Sequence, residues 1–193
     1  GYVDLFERAS AEEVDRLREA GHVGVKFIFA PRPYSDDAYM PIYERAAELG
    51  LPALFHTGWV AGTRGKRSLN MAPSELEPIC KCWPEWKIMA AHLGNAWAHD
   101  AVGMMNWHKN LYYDLTGGFI RSRSPSWLRG LFLRQDGRNL RSMEEVVDLD
   151  VVGRLVFGTD NPSLAELLEF YMNFLAMLEV PRDIQDRIYY GNA

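Results

Sequence analysis

The chain of 193 residues has only two cysteines, no apolar run near the roughly 20 residues that span a bilayer, and no excess of positive charge. Each shortage excludes something. Cys80 and Cys82 sit too close together for an ordinary disulfide and lack the second pair of a zinc site. They are expected as helix-packing thiols, which suits a reducing compartment. The formal charge is -5, with acidic and basic residues scattered, so there is no basic face for nucleic acid and the expected partner is a small molecule. Asp4, Glu7 and Arg8 stand where a signal peptide needs an apolar core, which together with the missing span predicts no membrane association and a cytoplasmic protein. Low-complexity segments and sequence repeats are also lacking. The chain starts at Gly1 without an initiator Met, as a fragment, a processed product or a trimmed form does.

What is present is a core. Hydrophobic residues make up 48% of the sequence, enough for a single domain over residues 1–193. Apolar runs at Val23 to Phe29, Pro52 to His56, Ile88 to Ala91, Leu111 to Leu115 and Leu155 to Phe157 read as strands, with a stub at Gly1 to Leu5. Between them lie helical patterns. Ser10 to Glu13, Ser74 to Glu77, Ser142 to Glu145 and Ser163 to Glu166 are capping-box patterns that open helices. Met40 to Leu49 and Ala98 to His108 complete the set, and Leu164, Leu167, Leu168, Tyr171, Leu175 and Leu178 recur at helical spacing. Strands alternating with helices predict an α/β fold with a parallel sheet. A (β/α)8 TIM barrel has eight strands in about 250 residues, so at least two strands are expected to be absent from the front.

Three of the strands end on groups that carry chemistry. Leu51 to Trp59 ends its apolar run at His56, Lys87 to Gly94 at His92, and Arg154 to Asp160 at Asp160. Side chains at the carboxyl ends of barrel strands converge on one mouth, where two imidazoles and a carboxylate make the donor set of a zinc-type ion. Taken singly, each histidine also reads as a hydrogen-bonded core residue, and Asp160 before Asn161 and Pro162 as a helix cap. Lys26 interrupts an apolar strand and either meets an anionic group in the mouth or runs its stem out to solvent. Arg32, Trp59, Arg64 and Trp97 follow strand ends and are candidates for lining a substrate pocket, with Tyr34 beside them. Arg121, Arg123, Arg129, Arg134, Arg138 and Arg141 fall in a segment broken by Pro125, Gly130 and Gly137. That segment reads as a solvated surface excursion or as a lid that clamps carboxylates.

The motifs Gly24-Val-Lys-Phe, Gly50-Leu-Pro, His56-Thr-Gly, Ala91-His-Leu-Gly, Tyr113-Asp-Leu-Thr-Gly, Phe157-Gly-Thr-Asp-Asn-Pro and Tyr190-Gly-Asn-Ala, in this order, resemble the amidohydrolase-related family often called amidohydrolase 2. Aminocarboxymuconate-semialdehyde decarboxylase and related decarboxylases and hydrolases belong to it. The resemblance implies a (β/α)8 barrel of the metal-dependent hydrolase type with one divalent metal, zinc or manganese. It makes His56 and Asp160 metal ligands and His92 the catalytic acid/base, with Asp160 also at the catalytic centre. The family's other two ligands form a His-x-His or Glu-x-His pair on the first strand, and this sequence has no such pair.

The implied activity is hydrolysis or non-oxidative decarboxylation of a small carboxylate- or carbonyl-bearing substrate. The alternatives are a metal-independent lactonase, or a non-catalytic fragment or binding subunit of the same fold. Homodimerisation, or completion by a missing N-terminal segment, is expected to cover the open end of the sheet.

Overall fold

A computed structural model describes residues 1–7, 9–60, 67–136, 144–160 and 163–192. The order is β1 (Tyr2–Asp4), α1 (Ala11–Glu19), β2 (Val25–Ile28), α2 (Met40–Glu48), β3 (Ala53–Phe55), α3 (Glu77–Cys82), β4 (Ile88–Ala90), α4 (Ala98–Trp107) and β5 (Leu111–Tyr113). Then come α5 (Gly118–Arg121), α6 (Pro125–Leu131), β6 (Leu133–Gln135), β7 (Glu145–Val147), α7 (Leu149–Val152), α8 (Leu164–Met177) and α9 (Arg182–Asp186).

β1 to β5 form one sheet in chain order, every neighbouring pair parallel. A parallel bridge from Tyr113 to Leu155 adds a sixth position beyond β5. Sequential order without reversal is how a (β/α)8 wall winds, whereas a doubly wound sheet reverses at a switch point. The fold is therefore α/β and barrel-like.

Strand pleat sorts the side chains into two faces. The register aligns Val3, Phe27, Phe55, Ala90, Tyr113 and Leu155 in one row, and all are fully buried beneath the helices. Phe27, Phe55 and Tyr43 of α2 pack as a cluster with ring centroids 4.9 to 5.3 Å apart. The alternate row, Tyr2, Lys26, Leu54, Met89 and Tyr112, faces the barrel interior and none of its members is fully buried.

Two of the expected helix starts are made as predicted. Ser10 Oγ accepts from Glu13 N–H and Ser163 Oγ from Glu166 N–H, both at 3.3 Å. Ser74 does not cap. Pro73 starts a 3-10 turn over Pro73–Leu76, so Ser74 already has helical backbone, whereas a cap needs extended backbone of the kind Ala72 supplies (ψ 148°). The helix expected from Ser142 is also corrected. Residues 142 and 143 lie outside the described set, and Glu145–Val147 is a strand antiparallel to Leu133–Gln135. Val146 and Val147, branched at Cβ, favour extended backbone, and Asp148 caps α7 instead by accepting from Val151 N–H at 3.2 Å.

The strand expected over Leu155 to Phe157 is reduced to the single bridge, and Phe157 N–H turns to Ile188 C=O at 2.9 Å. Of the two thiols, Cys80 is buried as a packing residue, while Cys82 is exposed. The arginine-containing segment is structured where described. Ser124 caps α6, and Leu128, Leu131 and Phe132 enter the core. Arg138 and Arg141 lie outside the described residues. No helix among the described residues is long and apolar enough to cross a membrane.

Candidate active site

His56 follows β3 directly, and its backbone N–H still bonds Phe27 C=O of β2 at 2.9 Å. Its side chain has the same parity as Leu54, so it opens on the interior face one step above the row that contains Lys26. The ring is 7% exposed, and Nε2 is buried with no hydrogen-bond partner. Burial pushes its pKa down to about 4, helped by His92 and then Lys26, and opposed by the Trp59 backbone and Asp160. His56 is therefore neutral near pH 7, with one buried ring nitrogen left without a partner.

His92 follows β4 on an unusual backbone. His92, Leu93, Gly94 and Asn95 have φ values of 67°, 42°, 68° and 52°, a left-handed run that costs L-residues roughly 1–2 kcal/mol each. Neighbouring strand ends hold it in place. Asp114 Oδ1 accepts from His92 N–H at 2.8 Å, and Thr57 Oγ1 donates to Ala91 C=O at 2.6 Å. His92 Nδ1 lies 2.6 Å from Thr116 Oγ1. The His92 and His56 rings meet edge to face with centroids 4.9 Å apart.

Thr116 Oγ1 and N–H both donate to Asp114 Oδ1, at 2.6 and 2.9 Å. Asp114, Thr116 and His92 are all at least 90% buried. Asn95 is clamped between glycines. A Cβ on Gly58 would fall 2.6 Å from Asn95 Nδ2, and one on Gly117 would fall 2.5 Å from Asn95 Oδ1.

The other candidates are placed unevenly. Lys26 is half-buried on the interior face and close enough to contribute to the His56 shift. Asp160 is exposed, at φ 50°, and within electrostatic reach of His56. Trp59 is 67% exposed and lines a cavity of about 230 Å³ with Asn95, Ala96, Gly118 and Phe119. Trp97 is half-buried at the start of α4. Arg32 is exposed and paired with Asp36 at 3.5 Å. Tyr34 is fully buried and donates to main-chain carbonyls, so it is a core residue and not a pocket wall. Arg64 lies outside the described residues.

Sequence reasoning passed over Asp114, Thr116 and Asn95. The first two were visible as a carboxylate and a hydroxyl spaced by two at a strand end. Nothing local marks Asn95, whose position depends on two glycines distant in sequence.

A divalent ion needs at least three converging donors in a first approximation. His56 Nε2 is one candidate: it is buried and unpartnered, on a ring that burial keeps neutral. His92 Nδ1 is taken by Thr116, and no three His, Cys, Asp or Glu side chains among the described residues are grouped to hold a metal. The described residues thus do not form a complete metal site.

No curated protein matches the chain. Among solved structures, an uncharacterised TIM-barrel protein from Bordetella bronchiseptica aligns at 17% identity and TM-score 0.71, covering 100% of this chain and 63% of that one. The 5-carboxyvanillate decarboxylase LigW from Sphingomonas paucimobilis aligns at 15% identity and TM-score 0.62, covering 100% and 64%. Dihydroorotase from Campylobacter jejuni aligns at 14% identity and TM-score 0.54, covering 97% and 63%. At these identities the likeness is one of fold, and the chain spans somewhat under two thirds of the length of these structures. The amidohydrolase family model matches residues 2–193, and the chain belongs to the amidohydrolase family.

Proposed function

We propose that this chain supplies the catalytic strand ends of a hydrolase or non-oxidative decarboxylase acting on a small carboxylate- or carbonyl-bearing substrate, with His92 as the group that moves the proton. The observation that carries the reading is the buried His92 imidazole, fixed by Thr116 and Asp114 and set 4.9 Å from a second, neutral imidazole at the ends of parallel strands. A buried, oriented histidine with one nitrogen occupied has its other nitrogen available for acid/base work. Both reactions use such a group. Decarboxylation replaces the lost carboxylate with a proton on carbon, and hydrolysis removes a proton from water and delivers one to the leaving group. The similarity in fold to a decarboxylase and to dihydroorotase supports this range.

Lys26, on the interior face below His56, presents a cation where a substrate carboxylate would enter. His56, held neutral by burial, contributes an acceptor and no competing positive charge. Trp59, which lines the cavity beside Asn95, would contact the substrate, with Trp97 as a further candidate. No step here passes through a metal, because the described donor set is incomplete.

The test is an assay of CO2 release and of hydrolysis over a panel of small carboxylates, lactones and cyclic amides, comparing the wild-type chain with His92→Gln. Loss of turnover by roughly 10²–10⁴-fold is expected. Unchanged turnover in the variant would sink the proposal.

A second reading, a non-catalytic piece or binding subunit of the fold, is favoured by the open interior row of Lys26, Leu54, Met89 and Tyr112. An apolar sheet face of this kind calls for a cover. Metal analysis separates the two. About one tightly held zinc or manganese per chain, lost on His56→Ala, supports the enzyme and shows that residues beyond the described set complete the donors. No metal and no turnover supports the binding subunit.

A further inference from the structure

We infer that Asp114 and Thr116 are positioning residues that lock His92 as its Nδ1–H tautomer, so that Nε2 is the nitrogen left to exchange protons with substrate. The tautomer follows from counting hydrogens, and the role of Nε2 rests on the function proposed above. A threonine hydroxyl has one proton to give and two lone pairs to receive with, and a carboxylate can only receive. Thr116 Oγ1 lies 2.6 Å from Asp114 Oδ1, so its proton points to the carboxylate. Only lone pairs then face His92 Nδ1, also at 2.6 Å. A contact of that length needs a hydrogen, and Nδ1 must carry it. A neutral imidazole has one N–H, which leaves Nε2 bare.

Asp114 does not hold the ring directly. Its Oδ1 is 3.9 Å from His92 Nδ1, beyond hydrogen-bond reach, and Thr116 bridges the gap. The same oxygen also accepts from His92 N–H at 2.8 Å and Thr116 N–H at 2.9 Å. One carboxylate oxygen thus fixes the left-handed backbone of His92, the backbone of the bridging residue and, through the hydroxyl, the ring. Burial of all three residues keeps water from competing for these bonds. A hydrogen-bonded partner on the second imidazole nitrogen is the general means by which proteins choose a histidine tautomer. Sequence separation hides the device, since His92 follows β4 whereas Asp114 and Thr116 follow β5.

Long-range ¹H–¹⁵N correlation on the ¹⁵N-labelled chain reads the tautomer directly, with His92 assigned by the signals lost in His92→Gln. The wild type is expected to show a pyrrole-type Nδ1 and a pyridine-type Nε2. Thr116→Val, which removes the hydroxyl and little else, is expected to shift His92 toward the Nε2–H form, and Thr116→Ser to restore the original pattern. A wild-type spectrum with Nε2–H, or a folded Thr116→Val chain with an unchanged His92 pattern, overturns the inference. Should Thr116→Val fail to fold, the wild-type spectrum still decides. Turnover is expected to fall about 10- to 100-fold in Thr116→Val and to recover in Thr116→Ser, as for other orienting partners of functional histidines. Retained turnover in His92→Gln would refute the catalytic role and leave the tautomer result standing.

Discussion

The imidazole of His56 meets that of His92 edge to face at 4.9 Å, the first with an unpartnered buried nitrogen and the second tied to Thr116. Burial, then the neighbouring His92 ring and Lys26, push the pKa of His56 down to about 4.

Acid should therefore weaken the fold through His56. Above pH 6.5 the ring is neutral in both folded and unfolded chains and contributes no pH dependence. Between pH 6.5 and about 4 the unfolded chain binds the proton and the folded chain does not, so stability falls as pH falls. The loss attributable to this group approaches ~3 kcal/mol by pH 4. Urea denaturation across that window, wild type against His56→Gln, is expected to show a flatter profile in the variant. Lys26→Met, which removes one cause of the shift, should raise the pKa of His56 in an NMR titration.

Gly117 leaves room for the site. A Cβ there would fall 2.5 Å from Asn95 Oδ1, 3.0 Å from His92 Cβ and 3.2 Å from the His92 carbonyl oxygen. Gly117→Ala is expected to destabilise the chain by about 1–3 kcal/mol and to displace His92. Gly130 is the control. It lies in α6 with nothing within 4 Å of its added Cβ, so Gly130→Ala should be neutral or slightly stabilising in the same melts.

Tyr171 pins the sixth strand position. Its hydroxyl accepts from Leu115 N–H at 2.7 Å and donates to Val156 C=O at 2.8 Å, joining the end of β5 to the segment around Leu155. Tyr171→Phe leaves both buried groups unpaired, at a cost of about 3 kcal/mol. Chemical denaturation measures that loss. Amide exchange should show it concentrated at Leu115 and Thr116, next to the contact that orients His92.

Residue pattern alone was enough for the parallel α/β class, for most strands to within a residue or two, and for His56 and His92 as strand-end groups. The reason is local. An apolar run that stops at a polar residue marks the end of a buried strand, and Ser10 and Ser163 cap helices by contacts three residues away. Ser74 failed because its backbone was already committed by Pro73, and the Ser142 pattern because Val146 and Val147 found a strand partner in β6.

What only the tertiary structure decided is how the strand ends meet. Asp114 and Thr116 reach His92 because β4 and β5 are neighbours, and Asn95 fits between Gly58 and Gly117 because three loops converge there. The direction of a hydrogen bond, the burial that lowers the His56 pKa, and the exposure of Asp160 all depend on such non-local packing. Sequence periodicity reports which side of its own strand a residue faces; it holds no record of what faces that residue from the strand beside it.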